Sequence, residues 1–556
     1  MDYIQKYQAW VNNNTLDATL KQELLNMTDA QKEEAFYVDI EFGTGGIRGL
    51  MGAGTNRVNV YTIMRATLGF SRYILNQNRN KRVAISYDNR LNSYAFAKRA
   101  AGVLAAQGID VFITSALRPT PYLSYMVRHF DCDGGIMITA SHNPKAYNGY
   151  KVYDETGCQI VPRIANIVIS EIQSIDDYFN IDFEETSPFI HWVDESFDEH
   201  YLEAVKTIQI EDLPNKPLKL VYSPLHGTGG TMVPRLLKEL GYKVIPVESQ
   251  MVNDPNFGAT QSSNPEEKIA YDGALALAKE VGGDLVLVTD PDADRLGVMV
   301  KHQGKFHFLS GNQTAALTLY YILSRKQEKG LIPDNGYVFT TNVTTPLIDK
   351  IATSFKLKVE TTLTGFKFIG EKARAIEGKG VYMFGCEESY GSLVSDFVRD
   401  KDAVQAVYML SEMATYMHSQ GKTLIDLLTT VYNTYGYFLE ETLNLNLSGI
   451  EGKKRIEAIM TYFRNNRLSI KNKEIVQIDD VLKLQTWRKT GIEALDYPSS
   501  NVLKFYYRDG SWIVLRPSGT EPKLKIYMSV VGNTKHDAEE ALENYKITVQ
   551  GLLGQV

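Results

Sequence analysis

Three carboxylates spaced two residues apart are the first group in this sequence whose types and spacing suggest chemistry. Asp290-Pro-Asp292-Ala-Asp294-Arg295 follows the apolar run Leu285-Val-Leu-Val-Thr289. At i, i+2 and i+4 of a turning loop these carboxylates can converge on one hard cation, and oxygen ligands suit Mg²⁺. Left bare, adjacent carboxylates repel by about 1 kcal/mol or more per pair, so a solvated acidic turn is the weaker reading. An EF-hand needs Gly at the sixth loop position and Glu at the twelfth; Arg295 and Lys301 stand there, and that reading fails. An Asp-x-Asp after an apolar strand also suits a phosphatase of the haloacid-dehalogenase type, with Asp290 as nucleophile, and that alternative stays open.

A second stretch, Thr139-Ala-Ser141-His142-Asn-Pro-Lys-Ala-Tyr-Asn-Gly-Tyr-Lys151, follows an apolar run that reads as a buried strand. Pro144 and Tyr147-Asn-Gly149 behind it read as a turn. A serine is thereby delivered to the carboxyl end of a strand, with a histidine beside it and a lysine ten residues on. Open α/β sheets place their ligands there. Further polar loops carry donors and charges. Glu41-Phe-Gly-Thr-Gly-Gly-Ile-Arg48-Gly49 is too glycine-rich for a helix or regular strand and reads as a loop holding Arg48. Cys386-Glu387-Glu388-Ser389 and Thr364-Gly365-Phe-Lys367 offer groups suited to sugar hydroxyls, and Asp400-Lys401-Asp402 adds a cation ahead of a helix that Asp402 would cap. Arg516-Pro-Ser518-Gly519-Thr520 sets a guanidinium and two hydroxyls around a glycine, as a phosphate clamp does, although the bare pattern also occurs in ordinary turns. His226-Gly-Thr-Gly-Gly230 lacks the P-loop lysine and reads as a tight turn before a helix.

Repeated elements must position these loops. The apolar spacing predicts strands at 82–87, 110–114 and 135–139 with helices at 93–106 and 121–129. A second set follows: strands at 219–222, 243–247 and 285–289, helices at 232–240 and 265–280. The third has strands at 337–341, 358–362 and 381–384, helices at 346–355 and 366–376. Such alternation predicts βαβ units with right-handed crossovers, and each copy ends in a strand followed at once by one of the polar loops. Residues 2–36 carry helical spacing. Near the C-terminus, strands at 502–507, 512–516 and 524–531, a turn at Asp509-Gly510 and a helix at 536–553 predict a smaller α+β domain. The expected fold is therefore α/β, with three related βαβ-type domains of mainly parallel mixed sheets and a C-terminal α+β domain around one central cleft. The expected domains are 1–204, 205–312, 313–440 and 441–556.

A chain of 556 residues exceeds one core at roughly 150 residues per domain. Its 59 Lys+Arg against 66 Asp+Glu give a net charge of −7 without a basic block, which argues against nucleic acid and anionic membranes as partners. Three scattered cysteines support neither a disulfide framework nor a zinc site. No apolar stretch reaches about 18 residues and no signal-peptide pattern opens the sequence, so a cytoplasmic location is expected.

Taken together, Thr-Ala-Ser141-His-Asn-Pro with Asn-Gly-Tyr-Lys151, Asp-Pro-Asp-Ala-Asp-Arg295, Cys-Glu-Glu-Ser389 and Arg-Pro-Ser-Gly-Thr520 resemble the α-D-phosphohexomutase superfamily, most closely its bacterial phosphoglucomutases. All four loops occur in the family's order, so the resemblance spans nearly the whole chain. It implies a phosphoserine at Ser141 that donates its phosphoryl group to a sugar phosphate and recovers one from a bisphosphorylated intermediate. It also implies one Mg²⁺ per chain held by Asp290, Asp292, Asp294 and a phosphoserine oxygen of Ser141. Arg48, His142 and Lys151 would surround the reacting phosphate, with Lys151 or His142 as candidate general acid/base. Arg295, Thr364, Gly365, Glu387, Ser389 and Lys401 would face the sugar, while Arg516, Ser518, Gly519 and Thr520 would hold the distal phosphate.

The expected reaction interconverts α-D-glucose 1-phosphate and glucose 6-phosphate, with glucose 1,6-bisphosphate as intermediate and activator, in a monomer or weak dimer. Mannose and pentose phosphates are alternative substrates; Tyr390-Gly391 stands where many dual-specificity relatives carry a histidine, which points away from mannose. A metal-dependent sugar-phosphate phosphatase using Asp290, or a catalytically inactive sensor, are the alternatives of other classes.

Overall fold

The structure is a computed structural model and describes residues 2–43, 45–447, 449–518 and 523–555. The chain divides into two compact units, one of Met1–Thr314 with Phe366–Thr423 and one of Ala315–Gly365 with Leu424–Val556.

Two mixed sheets organise the first unit. The six-stranded sheet runs, in spatial order, Gly46–Leu50, Tyr147–Asp154, Gly134–Ile138, Arg82–Tyr87, Asp110–Thr114 and Ile190–Val193. Its last four strands are parallel and its first two antiparallel. The five-stranded sheet has the order Lys305–Leu309, Leu296–His302, Leu285–Thr289, Lys219–Ser223 and Lys243–Pro246, with the last three parallel. Every residue of Gly134–Ile138 and of Leu285–Thr289 is buried. At about 1.5–3 kcal/mol for each fully buried large aliphatic side chain, these two strands are firm platforms for the loops that follow them. Strand Val381–Cys386 pairs antiparallel with the short strand Ser392–Leu393. The N-terminal residues form three short helices, Tyr3–Val11, Ala18–Leu25 and Asp29–Phe36, whose Trp10, Leu24 and Phe36 share a core with Tyr61 and Tyr178.

In the second unit, Gly336–Thr341 and Lys358–Thr362 form a parallel pair. A seven-stranded antiparallel sheet follows, in the order Tyr437–Asn446, Lys523–Gly532, Trp512–Pro517, Leu503–Tyr507, Ile475–Asp480, Gln485–Arg488 and Gly491–Ala494. Helix Lys535–Leu553 buries Ala538, Tyr545, Val549 and Leu553. The turn between Leu503–Tyr507 and Trp512–Pro517 places Gly510 at φ 92°, the left-handed conformation glycine adopts without strain.

Three expectations are corrected. The glycine-rich segment holding Arg48 is not all loop, since Gly46–Leu50 is a strand paired with Tyr147–Asp154. For the same reason Asn148-Gly149 lies within a strand and not in a turn. The glycines mark close backbone approach. A Cβ on Gly46 would fall 1.9 Å from Tyr150 O, and one on Gly149 would fall 2.5 Å from Thr139 O and 2.7 Å from Ile47 O. The helix expected from Pro265 also begins later, as the 3-10 turn Lys268–Tyr271 leading into Asp272–Val281. Glu266 lies ahead of it and pairs with Arg295.

Candidate active site

Ser141 sits three residues beyond Gly134–Ile138, 2% exposed and with φ 51°. A non-glycine residue in this left-handed region costs energy and persists only where its surroundings enforce it. The Ser141 amide donates to Thr139 Oγ1 at 2.8 Å, and its Oγ donates to Asp290 Oδ2 at 2.8 Å and lies 3.2 Å from His142 Nδ1. Burial, together with the cationic Arg295 and Arg48, pushes the His142 imidazole well below its usual range, so it stands neutral. Arg48, on the outermost strand, is in register with Gly149, and its Nη1 donates to Asn143 Oδ1 at 3.1 Å.

Asp290, Asp292 and Asp294 are buried, and one oxygen from each lies within 4.8 Å of the others. Their surroundings divide the labour. Asp290 Oδ1 accepts the amides of Asp294 and Arg295, each at 3.0 Å, while Oδ2 takes Ser141. Asp292 Oδ2 accepts Lys151 Nζ at 2.6 Å and Thr120 Oγ1 at 2.9 Å. Lys151 Nζ also lies 3.5 Å from Asp294 Oδ2, and Lys401 Nζ lies 3.2 Å from the same oxygen and 3.0 Å from Asp400 Oδ1. Burial opposes the Lys151 charge, but Asp292 and Asp294 outweigh it and raise its pKa. Asp292 is held well below the carboxylate range: burial would raise it, and Lys151 overrides that effect.

Within the carboxylate cluster, Asp292 Oδ1 and Asp294 Oδ1 are buried without a hydrogen bond, and Arg295 Nε lies 3.6 Å from the latter. Buried carboxylate oxygens left unmatched are costly unless a cation meets them. With the Asp290–Ser141 pair beside them they form an oxygen donor set that fits Mg²⁺.

The loop Cys386–Gly391 joins this centre. Leu296 N donates to Tyr390 O at 3.0 Å, Arg295 bridges to Gly391, and the Glu387 amide donates to Gly391 O. The Glu387 charge is felt by both Arg295 and Lys401. Ser389 lies within this loop, next to Tyr390 at φ 69°. A Cβ on Gly391 would fall 2.1 Å from Lys401 Cδ, so the glycine leaves room for the lysine stem. Asp402 caps helix Ala403–Ser419 as expected, accepting the amides of Val404 and Gln405, and Ala403 N donates to Ala293 O in the carboxylate loop. The first unit thus brings together Arg48, Ser141, His142, Lys151, Asp290, Asp292, Asp294, Arg295, Glu387, Ser389 and Lys401.

The remaining sequence-derived residues belong to the second unit. Thr364 and Gly365 follow strand Lys358–Thr362, with Gly365 at φ 112°. Arg516 lies on strand Trp512–Pro517 opposite Lys525, and the Ser518 amide donates to Lys523 O at 2.7 Å. Gly519 and Thr520 lie outside the described residues.

The family models for phosphoglucomutase/phosphomannomutase match in order: α/β/α domain I at 39–179, α/β/α domain II at 199–304, α/β/α domain III at 310–435 and the C-terminal domain at 465–546. The chain is 37% identical over 531 residues to the phosphoglucomutase of Staphylococcus aureus (strain MRSA252), covering 94% of this chain and 95% of that one. This chain belongs to the phosphoglucomutase/phosphomannomutase family. Solved family structures share its fold. The phosphoglucomutase pp63/parafusin from Paramecium matches with a TM-score of 0.70 at 18% identity, covering 93% of this chain and 96% of that one. A phosphoglucomutase/phosphomannomutase family protein from Burkholderia thailandensis matches with a TM-score of 0.67 at 18% identity, covering 92% and 97%.

Within this phosphoglucomutase/phosphomannomutase site, three residues escaped the sequence reading. Thr120 ties helix Thr120–His129 to Asp292 through both its amide and its hydroxyl. Glu266 accepts Arg295 Nη1 at 2.6 Å. Arg90 is buried beneath the Ser141 loop. A signal existed for the last: Asp88-Asn-Arg90 also follows a strand directly, at the same sheet edge as Ser141.

Proposed function

We propose that this protein is a phosphoglucomutase interconverting α-D-glucose 1-phosphate and glucose 6-phosphate through a phosphoserine at Ser141. One observation carries the reading: Ser141 Oγ is hydrogen-bonded to Asp290 beside two buried carboxylates with open oxygens, in a chain 37% identical to a phosphoglucomutase. Phosphoryl transfer asks for positioning and charge neutralisation more than for covalent invention.

In the proposed cycle the bond between phosphorus and Ser141 Oγ breaks as a sugar hydroxyl bonds to phosphorus. That hydroxyl loses a proton and Ser141 Oγ gains one. We assign the proton movement to Lys151, whose ammonium would give a proton to Ser141 Oγ and take one from the sugar hydroxyl, with the neutral His142 Nδ1 3.2 Å from Ser141 Oγ. Asp290, Asp292 and Asp294 would hold one Mg²⁺, which when bound supplies positive charge against the phosphoryl oxygens. Arg48 and Arg295 add positive charge from the protein, while Glu387, Ser389 and Lys401 face the sugar. Thr364 and Gly365 extend the sugar contacts, and Arg516, Ser518, Gly519 and Thr520 take the non-reacting phosphate. Glucose 1,6-bisphosphate is the activator in this reading, acting on a monomer or weak dimer organised as domains 1–204, 205–312, 313–440 and 441–556. Among the described residues no helix is long and apolar enough to cross a membrane, and we place the enzyme in the cytoplasm. As a phosphatase nucleophile Asp290 is poorly placed, because both its oxygens are engaged by the loop and by Ser141.

Incubation with glucose 1-phosphate and a trace of glucose 1,6-bisphosphate should yield glucose 6-phosphate, with phosphate recovered on Ser141 as an acid-stable phosphopeptide. Release of free phosphate with a hydroxylamine-labile acyl phosphate on Asp290 would replace the mutase with the phosphatase. Parallel turnover on mannose and ribose 1-phosphates ranks the alternative sugars.

A further inference from the structure

The backbone of the Ser141 loop is wrapped around a single guanidinium. Arg90 Nη1 donates to the carbonyl oxygens of Pro144 and Tyr147, both at 3.0 Å, and Nη2 donates to those of Ser141 and Asn143. Arginine carries five N–H donors in a fixed planar fork, and four of them serve this one loop. The fifth side faces Asp88, whose Oδ2 lies 3.3 Å from Nε.

Asp88 extends the clamp. Its Oδ1 accepts the Arg90 amide at 3.0 Å and Ser93 Oγ at 2.7 Å, and its Oδ2 accepts Thr139 Oγ1 at 2.7 Å. Thr139 Oγ1 in turn accepts the Ser141 amide. Ser141 is therefore gripped on both sides of its α-carbon, at the carbonyl by Arg90 and at the amide by Thr139. The aromatic face of Phe257 lies 5.3 Å from the guanidinium and backs it.

We propose that Arg90 is a positioning residue for phosphoryl transfer. With Asp88 and Thr139 it holds the Ser141 backbone in the left-handed conformation that aims Oγ at Asp290. Its catalytic consequence rests on the mutase reading; its effect on the loop does not. Lysine is no substitute, because an ammonium has three donors on a point charge and cannot span four carbonyl oxygens in one plane. Without the fork, four carbonyls lose a shared donor and Ser141 is released to relax.

Two full-length variants test this. In Arg90→Lys, kcat should fall by about 10²-fold, the cost of misplacing a reacting group by an ångström or so, with KM for glucose 1-phosphate within about threefold. Amide hydrogen exchange should accelerate across residues 139–148 and stay at the wild-type rate in Arg82–Tyr87 and Leu285–Thr289. Thr139→Val removes one hydroxyl at constant shape and should cut kcat by about fivefold to tenfold, with the same local exchange signature. A kcat within about threefold of wild type in both variants, or exchange that accelerates throughout the sheet, would overturn the proposal and leave Arg90 as core structure. If Arg90→Lys does not fold, Thr139→Val decides by the same criteria. Exchange needs no turnover, so a wild-type enzyme without mutase activity would sink the proposed function while the loop-holding role is still judged.

Discussion

The loops that follow Ile138 and Thr289 leave corresponding places in their sheets, yet the backbone groups each turns inward are of opposite sign. Each parent strand has a parallel neighbour on one side and an antiparallel one on the other, and the loop is the link to the antiparallel partner. Each loop holds one non-glycine residue at positive φ, Ser141 at 51° and Ala293 at 53°. In the first loop, carbonyl oxygens converge on the Arg90 cation. In the second, the amides of Asp294 and Arg295 converge on the Asp290 carboxylate. The difference sorts the chemistry. A loop folded around a cation presents a hydroxyl to its neighbour, whereas a loop folded around one carboxylate leaves the other two with oxygens open to a metal.

Removing the element each loop exists to present should give the largest effects. Ser141→Ala should lower mutase turnover by at least about 10⁴-fold in a coupled assay with an unchanged melting temperature, as expected for loss of the group that carries the phosphoryl. In the second loop, Asp292→Asn should weaken Mg²⁺ binding, measured by calorimetry, by more than about 100-fold, beyond what disturbing an outer-shell partner achieves. If that variant bound Mg²⁺ normally, the distinction between the two loops would fail.

Glycine substitutions compare a rigid neighbour with a yielding one. Gly149→Ala drives a methyl into the Thr139 and Ile47 carbonyls and should cost about 3 kcal/mol by denaturant titration. Gly391→Ala meets only the Lys401 stem; it should cost under about 1 kcal/mol and show instead as a raised KM, since the lysine must move.

A pH-dependent test concerns a buried cation with one carbonyl where Arg90 has four. Lys504 Nζ donates to Asn342 O at 2.7 Å between the rings of Tyr506 and Trp512. Burial pushes its pKa down from 10.5 to about 8, only partly opposed by Asp479 and Asp349. Between these values the unfolded chain binds more proton than the folded one, so this group's contribution to stability rises with pH through that window. Relative to Lys504→Met, wild type should gain about 1.6 kcal/mol between pH 8 and about 9.5, at 1.36 kcal/mol per unit of proton difference. Taking the difference between the two proteins cancels tyrosine titration; a flat difference would mean the amine is not desolvated.

Much of the fold was legible because buried parallel strands are short apolar runs with abrupt polar ends. Arg82–Tyr87, Asp110–Thr114 and Leu285–Thr289 match their expected bounds, as does helix Ser93–Ala106. The failures share a cause. In Gly46–Leu50 and Asn148-Gly149 glycine was read as a turn signal, but there it permits backbones to cross within van der Waals contact, which only the partner strand reveals. The carboxylate loop was legible from its spacing behind an apolar run and from the repulsion its bare charges would carry. Arg90, Thr120 and Glu266 were not, because their partners lie from 29 to 172 positions away in sequence or are backbone carbonyls of another loop.

Lys151 and Lys401 carry a consequence for the enzyme before it ever meets a metal. Resting against Asp292 and Asp294, they serve as built-in counter-ions, so the acidic cage does not depend on an imported cation to stay closed. Loading then becomes an ion swap inside a preformed vessel, and a chelator should silence the enzyme while leaving it folded and ready to be recharged.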